Sequence, residues 1–288
     1  MKRLWLCLLA LLLPLALPAQ PGGPVWQGDG LCQFVVNRYP LTQENADKLN
    51  LIIGDLLQRH EAAFGFTPDP GFHIHIRIFG RFQDYQQYAI TNHSGFENEG
   101  AALTNLAGYY SGRDQEVVTW RQRDPTYLAN NILHECSHAI MHHEFRVLPI
   151  WLDEGCAVYF EFPAFMRSET AVKRLNGQWY YIKKWQDEGS LPKLRQFLNL
   201  SPAAFRAMDP ARAYTVSWSI FQLLMSTPAT RLAMNTMIRE YQRPGAAPPD
   251  CAALLDQAYP GGLARMEWDW HNWIKQGAVN VLGPNAEH

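Results

Sequence analysis

The stretch HECSHAIMHH (134–143) places four of the chain's ten histidines in ten consecutive positions. His134, His138 and His142 recur every fourth residue, so on an α-helix their imidazoles form one stripe. Two imidazoles four residues apart can occupy two corners of a tetrahedral zinc site. Both His134/His138 and His138/His142 have that spacing, and the residue after the first histidine separates them. Glu135 follows His134 and can carry a proton; Ala139 follows His138 and cannot. The pattern H-E-x-x-H supplies two ligands and a general base, so His134 and His138 are read as ligands and Glu135 as the base. His142 lies about 80° round the helix from His134 and is read as part of a solvated helix end, with a substrate contact at the cleft edge as the alternative, and His143 faces packing or solvent.

A third ligand is needed. The long zincin pattern requires glycine at 141 and histidine at 144, and here those residues are Met141 and Glu144. The alternative is a glutamate from a second helix. WLDEG (151–155) supplies Glu154, with fifteen residues between it and His138, enough to end one helix, turn and start another. Asp153 competes, but neighbouring helical positions point about 100° apart, so both cannot face one metal equally. Glu161 lies two turns beyond Glu154 on the same face, too far along to serve as a ligand with it. Three protein ligands leave the fourth zinc position open, which is the arrangement of a catalytic site.

Around this motif the expected class is α+β: a small mixed sheet, the HExxH helix, a second Glu-bearing helix, and a mainly helical C-terminal subdomain. Residues 45–64 carry apolar positions at helical spacing, with Thr42 as N-cap. HIHIRIF (73–79) alternates as a half-buried strand, Ile74, Ile76 and Ile78 on one face and His73, His75 and Arg77 on the other. A short helix passes through Tyr85 and Tyr88, and His93 falls in the loop after it. AGYYSGRDQEVVTW (107–120) reads as two strands around a Gly-Arg-Asp turn. Asp124-Pro125 opens the metal helix as a cap followed by proline at its first position. The second helix runs from Pro149 and is stopped by Pro163. Helices are expected over 196–206, 213–225, 231–241 and 262–275, with RPGAAPPD (243–250) as a loop.

MKRLWLCLLALLLPLALPAQ (1–20) has a basic start, an apolar run too short to span a bilayer comfortably, and a small residue at the cut. It reads as a secretory signal cleaved near Ala19. The expected organisation is therefore 1–19 signal peptide, 20–164 α/β subdomain with the zinc motif, and 165–288 helical subdomain. Export would leave Cys32, Cys136, Cys156 and Cys251, an even number in an oxidising compartment. Three pairings are open to them, and so is a buried, unpaired state. A net charge of −2 gives no reason to expect nucleic acid or an anionic membrane as partner. After signal cleavage no membrane association is expected.

His134-Glu135-Cys136-Ser137-His138 followed by Trp151-Leu152-Asp153-Glu154-Gly155 resembles the gluzincin zinc peptidases, and more narrowly the exported bacterial peptidase MA-like domains. The likeness spans about residues 70–225, including the Gly108–Tyr110 segment, similar to a substrate-facing edge strand. It implies a Zn2+ cofactor, a peptide or protein substrate, and Tyr214 as the donor to the oxyanion. In thermolysin-like members an aspartate stands four residues after the ligand glutamate. Here that position is Val158, so support for the ligands must come from elsewhere. No segment like the one that recognises a free amino terminus is present, so aminopeptidase activity is not implied. Two further readings stay open: a catalytically silent metal-binding or interaction module, and a zinc hydrolase of a non-peptide amide.

Overall fold

The computed structural model describes residues 25–27, 30–93, 107–161, 169–243 and 249–277. The leader (1–19), Pro163, the 164/165 boundary and most of the 243–250 loop lie outside the described residues. Five strands form one mixed sheet: β1 (Val25–Gln27), β2 (Cys32–Asn37), β3 (Ile74–Phe79), β4 (Gly108–Ser111) and β5 (Glu116–Trp120), in the order β1-β2-β3-β5-β4. β2, β3 and β5 run parallel, and the two outer strands β1 and β4 pair antiparallel.

The alternation in HIHIRIF does what it predicts. Ile74, Ile76 and Ile78 are buried, His75 is exposed, and Arg77 is half-buried. The isoleucines share a core with α1 (Gln43–Phe64) and α3 (Pro125–Glu144). Val118 and Tyr109 on the opposite face pack with Tyr85 and Ala89 of α2 (Phe82–His93). Helices thus cover both faces, and a parallel centre demands that, because its strands are apolar on both sides.

α1 starts at Thr42, whose hydroxyl accepts the Asn45 N–H, and ends at Gly65 in the left-handed region. α3 starts with Asp124, whose carboxylate accepts from Thr126 N–H, and Pro125 is its first residue. A five-residue link (145–149) then leads into α4 (Ile150–Phe160), which packs on α3. In α4, Trp151, Leu152, Cys156 and Ala157 are all fully buried, as expected for a helix that is apolar almost all round.

Beyond it come α5 (Glu169–Asp187), α6 (Leu194–Leu198), α7 (Pro202–Arg206), α8 (Pro210–Met225), α9 (Pro228–Tyr241), α10 (Cys251–Ala258) and α11 (Gly262–Gln276). α8 lies against α4, and Trp270 of α11 donates from Nε1 to Ser219 Oγ of α8 at 3.0 Å. One apolar core runs from Phe34 on the sheet to Ile274 on α11. The single helix expected over 196–206 is instead two short ones. Pro202 starts the second, with the Ser201 hydroxyl accepting Ala204 N–H, and a proline cannot lie inside a continuous helix there. All four described cysteines are buried free thiols. No helix among the described residues is long and apolar enough to cross a membrane.

Candidate metal centre

α3 turns Leu133, Cys136 and Ile140 into the core and His134 and His138 towards α4, so the two imidazoles lie edge to face with centroids 5.0 Å apart. α4 brings Glu154 to both. Its Oε2 lies 3.5 Å from His134 Nε2 and 3.6 Å from His138 Nε2. These contacts are too long for hydrogen bonds, and Oε2 is buried without a hydrogen-bond partner. Ligand atoms bound tetrahedrally at zinc distances stand about 3.4 Å from one another. The spacing therefore fits a metal ion better than it fits a direct contact, and the donor set of two imidazoles and a carboxylate suits zinc.

The far side of each ring is held by a different carboxylate. His134 Nδ1–H donates to Glu161 Oε2 at 3.0 Å, and His138 Nδ1–H donates to Asp153 Oδ1 at 2.9 Å. A proton fixed on Nδ1 leaves Nε2 to face Glu154, so both tautomers are set by the fold. Asp153 is thus not a rival of Glu154 for the same position; its 100° offset carries it to the other nitrogen of His138. Glu161 is too distant to join Glu154 as a ligand, yet it supplies the support that Val158 cannot.

Burial disfavours charge on His134, but Glu154 and Glu161 outweigh it and hold the imidazole up to about 10. Burial likewise opposes charge on His138, and Asp153 and Glu154 outweigh it, holding that group well above the ordinary imidazole range. Burial would raise the Glu154 carboxyl, but the same two imidazoles bring it below its usual range. A metal at Nε2 must therefore compete with the proton that these carboxylates favour. Metal uptake should thus release protons, and apparent affinity should rise with pH. Calorimetry in buffers of different ionisation enthalpy measures this directly; a pH-independent affinity would contradict it.

Glu135 is 7% exposed, and burial raises its carboxyl, an effect that His134 and His138 partly offset. Tyr214 borders the same cluster, its ring 6.3 Å from that of His134. Burial, Glu154 and Glu135 together push its hydroxyl far up, so it remains a proton donor. The structure therefore brings His134, Glu135, His138, Glu154 and Tyr214 together.

His142 is exposed in the last turn of α3, as expected of a solvated helix end, but it also has partners. Its Nε2 lies 2.9 Å from Asp153 Oδ2, and its ring stacks on Tyr110 with centroids 5.9 Å apart. The 80° offset that removes it from the first ligand set carries it to the outer oxygen of Asp153. His143 stacks on Phe72, with centroids 4.2 Å apart. His73 and His75 are exposed and line a shallow cleft with His143 and Tyr110. His93 is the last residue of α2 rather than part of a loop.

Two supporting residues were not legible as such. Glu161 caps the C-terminal end of α4, and it is 3% exposed. His60 of α1 is fully buried: its Nδ1–H donates to Leu56 O at 2.8 Å, and its Nε2 accepts from Ser137 Oγ at 2.8 Å. Burial drives this imidazole down to about 3, so it is a neutral pin between α1 and α3. A lone histidine on an apolar helix face was the available signal for it. Glu161→Gln should lower zinc affinity by about 10- to 100-fold while the fold survives, read by competition with a chromogenic chelator. No protein-family model matches the chain, and no curated protein matches it significantly.

Proposed function

We propose that the chain is a zinc-dependent peptidase of gluzincin type, with His134, His138 and Glu154 as ligands and Glu135 as general base. One observation carries the reading: two carboxylate–imidazole pairs aim both Nε2 atoms at a buried Glu154 oxygen that has no hydrogen bond. A zinc ion bound there supplies Lewis acidity and lowers the pKa of water from 15.7 to roughly 7.

The chain's own residues do the rest. Asp153 and Glu161 hold the Nδ1 protons, so the ligand faces of both rings stay fixed. Glu135, next to one ligand and three residues before the other, takes a proton from the attacking water onto its carboxylate and returns it to the leaving amine. Its raised affinity for a proton suits both halves of that transfer. Tyr214, held protonated, donates from its hydroxyl to the oxygen of the scissile carbonyl as charge develops. The intact Glu135 argues against a silent module, because metal binding alone has no use for a buried carboxylate beside the ligands. The basic and apolar leader (1–20) supports an exported, periplasmic or extracellular enzyme. Its domain organisation would be the leader, an α/β part to residue 164 and a helical part from 165.

The test is cleavage of an unbiased peptide library by the zinc-loaded full chain. Expected are cuts that disappear with a chelator and return with zinc. Zinc bound with Glu154 as a ligand and no cleavage anywhere in the library would overturn the peptidase reading.

A further inference from the structure

We infer that His138, His142 and Asp153 form a second, weaker site for a first-row transition cation, sharing His138 with the first through the opposite ring nitrogen. Asp153 lies between two imidazoles, Oδ1 at 2.9 Å from His138 Nδ1 and Oδ2 at 2.9 Å from His142 Nε2. One donor atom from each residue falls within 4.8 Å of the others. Ligands of a tetrahedral ion stand about 3.4 Å apart, a separation that falls between the 2.9 Å contacts and the 4.8 Å limit that contains all three donors.

The three groups are held from different elements. His138 is fixed on α3 by its place between Asp153 and Glu154, Asp153 is anchored on the buried helix α4, and the His142 ring lies on Tyr110 of β4. The His142 side chain is 37% exposed while those of Asp153 and His138 are 14% and 11% exposed. An ion can thus enter from the His142 side without crossing the first site. Two imidazoles and one carboxylate favour zinc, copper or nickel and disfavour calcium and magnesium, which prefer all-oxygen sites.

Binding here displaces the proton of His138 Nδ1 to solvent, so that with both ions bound the ring bridges them as an imidazolate. It also removes the Nδ1–H···Asp153 bond that aims His138 at the first site. The two ions therefore oppose one another, and by linkage each weakens the other to the same degree. The second ion should be the weaker one for that reason. The inference rests on the proposed metal centre only through this coupling and the shared His138; Glu154 is not among its ligands.

The experiment is titration of the metal-stripped full chain with zinc, followed by native mass spectrometry and calorimetry. The wild type should take two equivalents, the second at least about tenfold weaker. His142→Ala, with a far-ultraviolet spectrum matching the wild type, should take only the tighter one; His142→Gln, which retains a hydrogen bond to Asp153, should do the same. Glu154→Gln should weaken the tight equivalent and keep the other. Saturation of the wild type at one equivalent, or two equivalents in both His142 variants, would overturn the second site. A tight equivalent unchanged in Glu154→Gln would count against the first site alone, while the His142 comparison still decides the second.

Discussion

Glu135→Gln should keep zinc at wild-type stoichiometry and cut peptide hydrolysis by about 10²- to 10⁴-fold in kcat/KM, the usual contribution of a positioned general base. Glutamine preserves the size of the side chain and one of its oxygens, but its amide cannot take a proton from water. Loss through unfolding is the competing explanation, and the surroundings of Glu135 argue against it. The carboxylate is 7% exposed, and burial disfavours its charge. A neutral side chain there removes a desolvation cost, while it gives up the attraction of the two imidazoles. These effects oppose each other, so thermal stability should change little. A drop of this size corresponds to about 3–5 kcal/mol of lost transition-state stabilisation. Residual activity within tenfold of wild type, with zinc bound, would remove Glu135 from the base's role.

The parts of this site that could be read from sequence are those set by local periodicity. Spacing of four puts His134 and His138 on one face, and the identity of Glu135 picks that pair over His138/His142. The parts that could not be read come from the second nitrogen of each ring. An imidazole joins partners on opposite sides, so the carboxylate holding Nδ1 is displaced from the ligand carboxylate by the width of the ring. Glu161 sits two turns from Glu154 for this reason and Asp153 one position away; the distance of Glu161 and the angular offset of Asp153 set them aside as partners of Glu154 in one ligand set and say nothing about their support. The same holds for His142, whose partner belongs to α4.

For the fold, the alternation of residues 74–79 and the Asp124-Pro125 start were decisive. Ser201-Pro202, Asp209-Pro210 and Thr227-Pro228 are starts of the same kind, each with a side-chain oxygen accepting a backbone N–H. Reading them alike would have divided the 196–206 segment and placed the first turns of α8 and α9. Strands β1 and β2 have no such marker: β2 gains its identity from pairing with β3, a contact between residues some forty positions apart.

Gly155→Ala shows what the close approach of α4 to α8 is for. An added β-carbon at this position would stand 2.6 Å from the Ser217 carbonyl oxygen and 2.8 Å from its carbon. Both are backbone atoms of α8, so no side-chain rotation relieves the clash. Ordinary contact begins near 3.4 Å, so the helices must part by about 0.8 Å (3.4 − 2.6). Alanine gains about 1 kcal/mol of helix propensity over glycine, and overpacking a dense interface costs about 1–3 kcal/mol or more. Because the clash is with backbone, the second effect should win, giving a net loss of up to about 2 kcal/mol in urea unfolding.

Gly54, inside α1, provides the control because a β-carbon there meets nothing within 4 Å. Gly54→Ala should stabilise by about 0.5–1 kcal/mol, so one substitution made in two helices should shift stability in opposite directions. The larger consequence lies next door. Glu154 precedes Gly155, and metal–ligand distances tolerate only about 0.2 Å of error. A displacement of α4 several times that size must pull Oε2 away from one Nε2 or both. Zinc affinity in Gly155→Ala should therefore fall at least as far as in Glu161→Gln, while Gly54→Ala leaves it unchanged. Wild-type affinity in Gly155→Ala would mean that α4 can move without carrying Glu154, and that the packing of α8 does not position the ligand.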